Sequence, residues 1–172
     1  MKKLLLFIGI SFLGFNNLQA QEVQTELSSD TSWLKLGVTA GVPVGDIADF
    51  SSFNLGLDLR AQHLFTPNWG VGIASGYDNY FAKDEFDDFG VIPLAGFIRY
   101  YFTPSGLFFG SDLGYGFLTN VEENSGGLYV NPQIGYHNED WNIYAYYKNT
   151  FAENEVDIQS VGLGVTYNIR FK

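Results

Sequence analysis

From Trp33 onward the chain alternates, residue by residue, between large apolar side chains and small or polar ones. The clearest stretch runs from Val91 to Phe117. Ile92, Leu94, Ile98, Tyr100 and Phe102 fall on one parity there, with Pro93, Ala95 and Arg99 on the other. After the turn Thr103-Pro104-Ser105-Gly106, Phe109, Leu113, Tyr115 and Phe117 share one face, and Gly110, Asp112, Gly114 and Gly116 the opposite one. Successive side chains of a strand point to opposite sides, so a period of two marks a strand between two unlike environments. Pro presets one turn dihedral and Gly tolerates positive φ, which makes this a long antiparallel hairpin.

The same pattern recurs along the chain and predicts strands at 33–42, 53–65, 69–81, 91–101, 107–117, 128–137, 141–151 and 158–171. No helical periodicity lies between them. Thr66-Pro67-Asn68 and Asn138-Glu139-Asp140 read as tight turns, whereas the connections at 43–52, 82–89, 121–127 and 153–157 read as longer and acidic. An even number of strands joined alternately by short and long connections predicts an all-β fold: an eight-stranded antiparallel up-and-down transmembrane β-barrel. In such barrels the short turns face the periplasm and the longer loops face outward.

Parity does not say which face is inside, since a soluble ligand-binding barrel alternates too. The polar face here is mostly Gly, Asn, Thr and Gln, not the Lys and Glu of a solvated surface. Aromatic residues collect toward strand ends. Trp33, Trp69 and Trp141 are expected at the periplasmic rim, and Phe53, Tyr77, Phe117 and Phe151 near the outer one. Rings with an apolar body and a polar tip favour the two membrane interfaces. The greasy face is therefore expected to meet lipid, and the cell outer membrane is the expected location.

Ahead of the barrel, Lys2 and Lys3 precede an apolar run from Leu4 to Phe15, and Leu18-Gln19-Ala20 offers a cleavage site. That run is too short to span a bilayer as a helix, so residues 1–20 read as a cleavable signal peptide. Residues 21–31 form a polar periplasmic lead-in, and 32–172 the outer-membrane β-barrel domain. The chain has no cysteine, which excludes disulfides, thiolate metal sites and a cysteine nucleophile. A formal charge of −10 excludes a nucleic-acid partner, which needs a basic footprint.

Gly90-Val91-Ile92-Pro93-Leu94 with Arg99-Tyr100-Tyr101-Phe102 resembles the porin-family outer-membrane β-barrel domain of Gram-negative bacteria. Ser75-Gly76-Tyr77 and Asn131-Pro132-Gln133-Ile134-Gly135-Tyr136 fit the same pattern, and the resemblance covers essentially the whole mature chain. The ending Tyr167-Asn168-Ile169-Arg170-Phe171-Lys172 resembles the C-terminal strand by which such proteins are recognised for assembly. The resemblance implies the fold, a lipid environment and the barrel-assembly machinery as a partner. It is silent on physiological role.

The parity of the strands turns eight charged residues inward: Lys35, Asp58, Arg60, Asp78, Arg99, Asp112, Lys148 and Arg170. Strand direction puts Asp58, Arg60 and Asp112 near mid-height, Lys35, Arg99 and Arg170 toward the periplasm, and Asp78 and Lys148 toward the outer mouth, where they are expected to pair. Buried charges persist only when paired, so these residues form a candidate lumen network. Phe97, Tyr101, Tyr144 and Tyr146 share the inward parity and are expected to help plug the lumen. An eight-stranded barrel is just wide enough for side chains to fill.

The two histidines, His63 and His137, lie toward periplasmic ends, away from an outer-leaflet lipid substrate, so no catalytic residues are assigned. The acidic residues Asp84, Glu85, Asp87, Asp88, Glu122, Glu123, Glu153, Glu155 and Asp157 lack cation-ligand spacing and read as a solvated collar. No cofactor or metal is expected. The reading is a monomeric outer-membrane barrel with a structural or surface-interaction role. A narrow ion or solute channel, an enzyme on membrane lipid and a soluble ligand-binding barrel are the alternatives.

Overall fold

A computed structural model describes residues 31–83, 86–121, 125–152 and 156–170. The expected signal peptide, most of the expected lead-in, and Phe171 and Lys172 lie outside the described residues. The strands are β1 Ser32–Val44, β2 Ser51–Leu64, β3 Trp69–Ala82, β4 Phe89–Tyr101, β5 Gly106–Thr119, β6 Gly126–His137, β7 Trp141–Ala152 and β8 Ile158–Arg170. Each pairs antiparallel with its sequence neighbour, and β8 returns to β1, closing an eight-stranded up-and-down barrel.

Turn chemistry ends the strands at one mouth. The Thr66 hydroxyl accepts from the amides of Asn68 and Trp69 at 3.3 and 3.0 Å. The Asn138 side chain accepts from the amides of Asp140 and Trp141 at 2.9 and 2.7 Å. Such side-chain bonds to the backbone two or three residues on are what make Thr and Asn turn residues. Short turns mark the periplasmic mouth of such barrels, and β1 begins and β8 ends at this same mouth.

The strands run 12–14 residues, longer than the ~9–11 that a tilted strand needs to span a bilayer. The excess absorbs much of the expected outer connections. The 43–52 segment, predicted as a long loop, is the end of β1, a short 3-10 turn over Gly45–Asp49 and the start of β2. Continued ladder bonding satisfies the backbone there more fully than an open loop would.

The outward parity is apolar around the whole barrel. Leu163 is 63 % exposed, Leu113 and Ile73 61 %, and Ile134, Leu57, Val38, Leu94 and Ile143 more than half. A soluble protein does not leave so continuous an apolar belt open to water. Aromatic contacts border it. Toward the periplasm Trp69 packs on Tyr100 at 4.9 Å and Trp141 on Tyr167 at 4.9 Å. Toward the outside Phe53 stacks on Phe81 at 4.4 Å and Tyr115 meets Phe117 at 4.8 Å.

Trp33 departs from the expected girdle. It sits two residues from Lys35 and so shares its inward parity, and the ring is only 8 % exposed. Depth alone suggested a lipid-facing residue, but the period of the strand overrides depth.

Candidate functional site: the lumen and its two mouths

The interior holds three tiers of polar side chains, distinguished by which residues bond to one another. Toward the outer mouth, Lys148 from β7 donates to both Asp78 oxygens on β3 at 2.6 and 2.8 Å. Thr39 on β1 donates to Asp78 at 3.1 Å and lies 3.3 Å from the Lys148 ammonium. The strands carrying this pair face each other across the barrel, so it spans the lumen.

At mid-height Arg60 is the hub. Its Nη1 and Nη2 grip the two Asp112 oxygens at 2.7 and 2.9 Å, and its Nε donates to Asp58 at 3.0 Å. The fork geometry of guanidinium matches a carboxylate in this way, which gives direction as well as charge pairing. Asn131 and Gln133 of β6 add two more donors to Asp112, at 2.8 and 3.0 Å. The Tyr144 hydroxyl donates to Asp58. Gln133 in turn accepts from Arg99 at 2.7 Å, so one continuous network joins β2, β4, β5, β6 and β7.

Toward the periplasm Lys35 donates to the Tyr101 hydroxyl at 3.2 Å and to Asn142 at 2.8 Å. The Tyr101 hydroxyl donates to Gln62 at 2.7 Å, and Asn142 donates to Asn168 at 2.8 Å. All partners in this tier are neutral.

Seven of the eight inward charges are thus buried: Lys35, Asp58, Arg60, Asp78, Arg99, Asp112 and Lys148. Arg170 is not among them. It ends β8 where the lumen opens, and its exposed guanidinium lies 5.2 Å over the Trp33 ring and donates to the Glu139 carbonyl at 3.3 Å. Inward parity buries a side chain only while wall remains around it.

Rings fill the space between tiers. Phe108 is fully buried beneath Arg99, with the guanidinium carbon 4.6 Å from its centroid, and Phe97 and Tyr144 lie 5.6 Å from the same group. Phe108 was not singled out from the sequence, although it shares the parity of Gly110 and Asp112. Its neighbour Phe109 carries the alternating apolar face and drew the assignment. Near the outer end Tyr80 and Phe89 stack at 4.9 Å within an apolar cluster with Ile47, Val91 and Ile158, and Tyr80 bonds Ser160 at 3.1 Å.

The inward glycines are floors for these side chains. A Cβ at Gly164 would stand 2.3 Å from the Tyr144 ring, and one at Gly110 would stand 2.6 Å from the Arg99 stem. Those are closer than any real contact, so the space a side chain would occupy at these positions is already taken by a neighbour.

Each mouth carries a cavity. The outer one, about 420 Å³, is apolar, with Ile47, Phe89, Leu118, Val156 and Ile158 in its wall and Asp87 at its edge. The periplasmic one, about 250 Å³, is lined by Trp33, Lys35, Tyr101, His137, Asn142 and Arg170 among others. Both histidines stand at this end: His63 Nδ1 is 2.8 Å from the Ser32 hydroxyl and His137 Nε2 is 3.0 Å from the Thr103 carbonyl. In the acidic collar Asp88 accepts from the Ala82 amide at 2.8 Å. Asp84, Glu85, Glu122, Glu123, Glu153 and Glu155 lie outside the described residues.

No protein-family model and no curated protein matches the chain. Solved structures do. Ail, the attachment invasion locus protein of Yersinia pestis, aligns at 14 % identity over 80 % of this chain and 97 % of its own, with a TM-score of 0.59. Neisserial surface protein A aligns at 13 % identity over 81 % of this chain and 97 % of its own, with a TM-score of 0.53. A transmembrane β-barrel designed de novo aligns at 14 % identity over 80 % and 95 %, with a TM-score of 0.51. At such identities the likeness is one of fold. With this fold, and with an apolar belt facing outward along every strand, the chain has the architecture of an outer-membrane β-barrel.

Proposed function

We propose that this is an integral outer-membrane barrel with a plugged lumen, whose role is structural or lies in contacts made at the cell surface. The interlocked interior carries the reading: the Asp78–Lys148 pair crosses the lumen and the Arg60 hub ties five strands together. A path through the barrel would have to break ion pairs whose separation leaves buried charges uncompensated. The same reading includes membership of the porin-like family, a cleaved signal peptide, assembly through the C-terminal strand and a monomeric state in lipid.

The outer collar points to the kind of surface partner. A second structure of the Yersinia barrel holds the heparin analogue sucrose octasulfate. The connections of the present chain are acidic, with Asp46, Asp49, Asp87, Asp88 and Asp157 among them, which repels polyanions and favours a neutral or basic surface. Chemistry on outer-leaflet lipid is disfavoured because both histidines sit at the opposite mouth.

Planar-bilayer recording on the purified barrel tests the closed lumen. The expected trace at neutral pH shows no steady conductance, and liposomes carrying the protein do not swell in small sugars. Reproducible single-channel steps that change on Arg60→Gln or Asp112→Asn would replace this reading with a narrow channel.

A further inference from the structure

The buried charges do not balance, and the surplus has an address. Four cations (Lys35, Arg60, Arg99, Lys148) face three carboxylates (Asp58, Asp78, Asp112). Lys148 is matched by Asp78, while Arg60 and Arg99 share one network with Asp58 and Asp112. Each of those two tiers is neutral. Lys35, 1 % exposed, has only Tyr101 and Asn142 as hydrogen-bond partners among the described residues, and no carboxylate among them lies within ion-pair distance of it.

This lone ammonium lines the periplasmic cavity. Three further observations converge there. Arg170, also without a carboxylate partner among the described residues, lines the same cavity. The Trp33 ring has both cations near its face, at 5.7 Å for Lys35 and 5.2 Å for Arg170. Finally, the Trp33 Nε1 hydrogen is buried and has no acceptor among the described residues. A buried indole N–H without a partner costs free energy comparable to a lost hydrogen bond, unless something in the cavity accepts from it.

We propose that the periplasmic mouth is a receptor for a small carboxylate anion. Its carboxylate is held by Arg170 at the rim and, as the Trp33 ring turns to open the sealed donors beneath it, by Lys35 Nζ and Trp33 Nε1, and its short apolar or aromatic body lies against Leu64, Tyr101 and Pro104. One anion supplies the charge that the buried set lacks and the acceptor that Trp33 lacks. At about 250 Å³ the cavity is smaller than the ~300–1,000 Å³ of drug-sized sites, which limits the body to one ring or a short chain. Glu139 at the rim adds negative charge, which favours a monoanion over inorganic phosphate.

The test uses the mature barrel in lipid nanodiscs, with ¹⁵N-labelled indoles and the Trp33 resonance assigned by Trp33→Phe. Titration with 4-fluorobenzoate should move the Trp33 N–H signal saturably and leave Trp69 and Trp141, which face lipid, in place. The neutral analogue 4-fluorobenzyl alcohol should move none of them. Lys35→Met should weaken binding by about tenfold or more, the scale of one charge-assisted hydrogen bond, and Arg170→Gln by a smaller factor. Lys35→Arg should restore most of it. Heat-modifiable gel mobility confirms that each variant is folded, and Arg170→Gln, at an exposed rim, keeps the test open should Lys35→Met fail to fold. A Trp33 signal indifferent to the carboxylate, or one moved equally by the alcohol, overturns the proposal. So does binding unchanged in folded Lys35→Met, and phosphate binding more tightly than the carboxylate overturns the ligand class.

Discussion

Lys148 and Lys35 are both buried lysines on the inward face of the barrel, at opposite ends of the lumen. Lys148 rests on a carboxylate and a threonine reached across the interior. Lys35 rests on a phenol and a carboxamide beside an open vestibule. The difference is one of neighbours, since both are buried and Lys35, at 1 % exposed, more deeply than Lys148 at 6 %. Where rings and ladders seal the interior, a charge survives only beside its opposite. Beside the vestibule the proposed anion would supply the opposite charge, and neutral acceptors orient the ammonium beneath it.

The comparison is broken most severely at the hub. Asp112→Leu leaves Arg60 with one carboxylate and removes the acceptor of Asn131 and Gln133. The expected loss is about 3–5 kcal/mol, or failure to fold, read from urea unfolding in lipid vesicles. A loss under about 1 kcal/mol would mean that water reaches this tier and that it is no more sealed than the vestibule.

Next comes the outer pair. Lys148→Met alone should cost about 3 kcal/mol by stranding Asp78, whereas joining it with Asp78→Leu should recover part of that loss. A double-mutant cycle with no measurable coupling would sever the outer tier from the argument.

The packing beneath the hub gives a smaller effect. Gly164→Ala places a methyl against the Tyr144 ring, which must turn away from Asp58. About 1–3 kcal/mol is expected from overpacking, and combining it with Tyr144→Leu should relieve most of it. An unchanged unfolding midpoint would show that the ring has room to move.

The smallest effect is predicted for the residue that looks most buried. Lys35→Met removes a cation that no carboxylate needs, so in anion-free buffer its stability should lie within about 1 kcal/mol of the parent, against the several expected at Lys148. Equal losses at the two lysines would erase the distinction between the ends.

The strand order was legible because a period of two survives any local noise, and eight runs of it leave few topologies. Asp78 with Lys148 was legible too, since parity and height together brought them to one level. The choice of Asp112 as the principal partner of Arg60 was not legible. The two sit on strands three apart, and the stagger of a tilted barrel decides which inward residues meet. Phe108 and Trp33 were missed for a related reason. Depth put Trp33 in the lipid-facing girdle and Phe108 was left unassigned beside Phe109, although both stand on the parity of inward charges. Arg170 erred the other way, because parity says which side a residue faces and not where the wall ends.

The closing seam has a kinetic consequence. Trp33 pairs with Arg170 and Val44 with Gln159, so the ladder between β1 and β8 joins nearly the two ends of the folded chain. Every other strand pair forms by a local hairpin, at little loop-closure cost. The last one waits for all the rest, and until it forms two strands present bare edges to any other chain nearby. Such an arrangement makes assembly all-or-none in time as well as in energy. A chain released before residue 158 would retain seven well-patterned strands and no means of hiding the edges of either end.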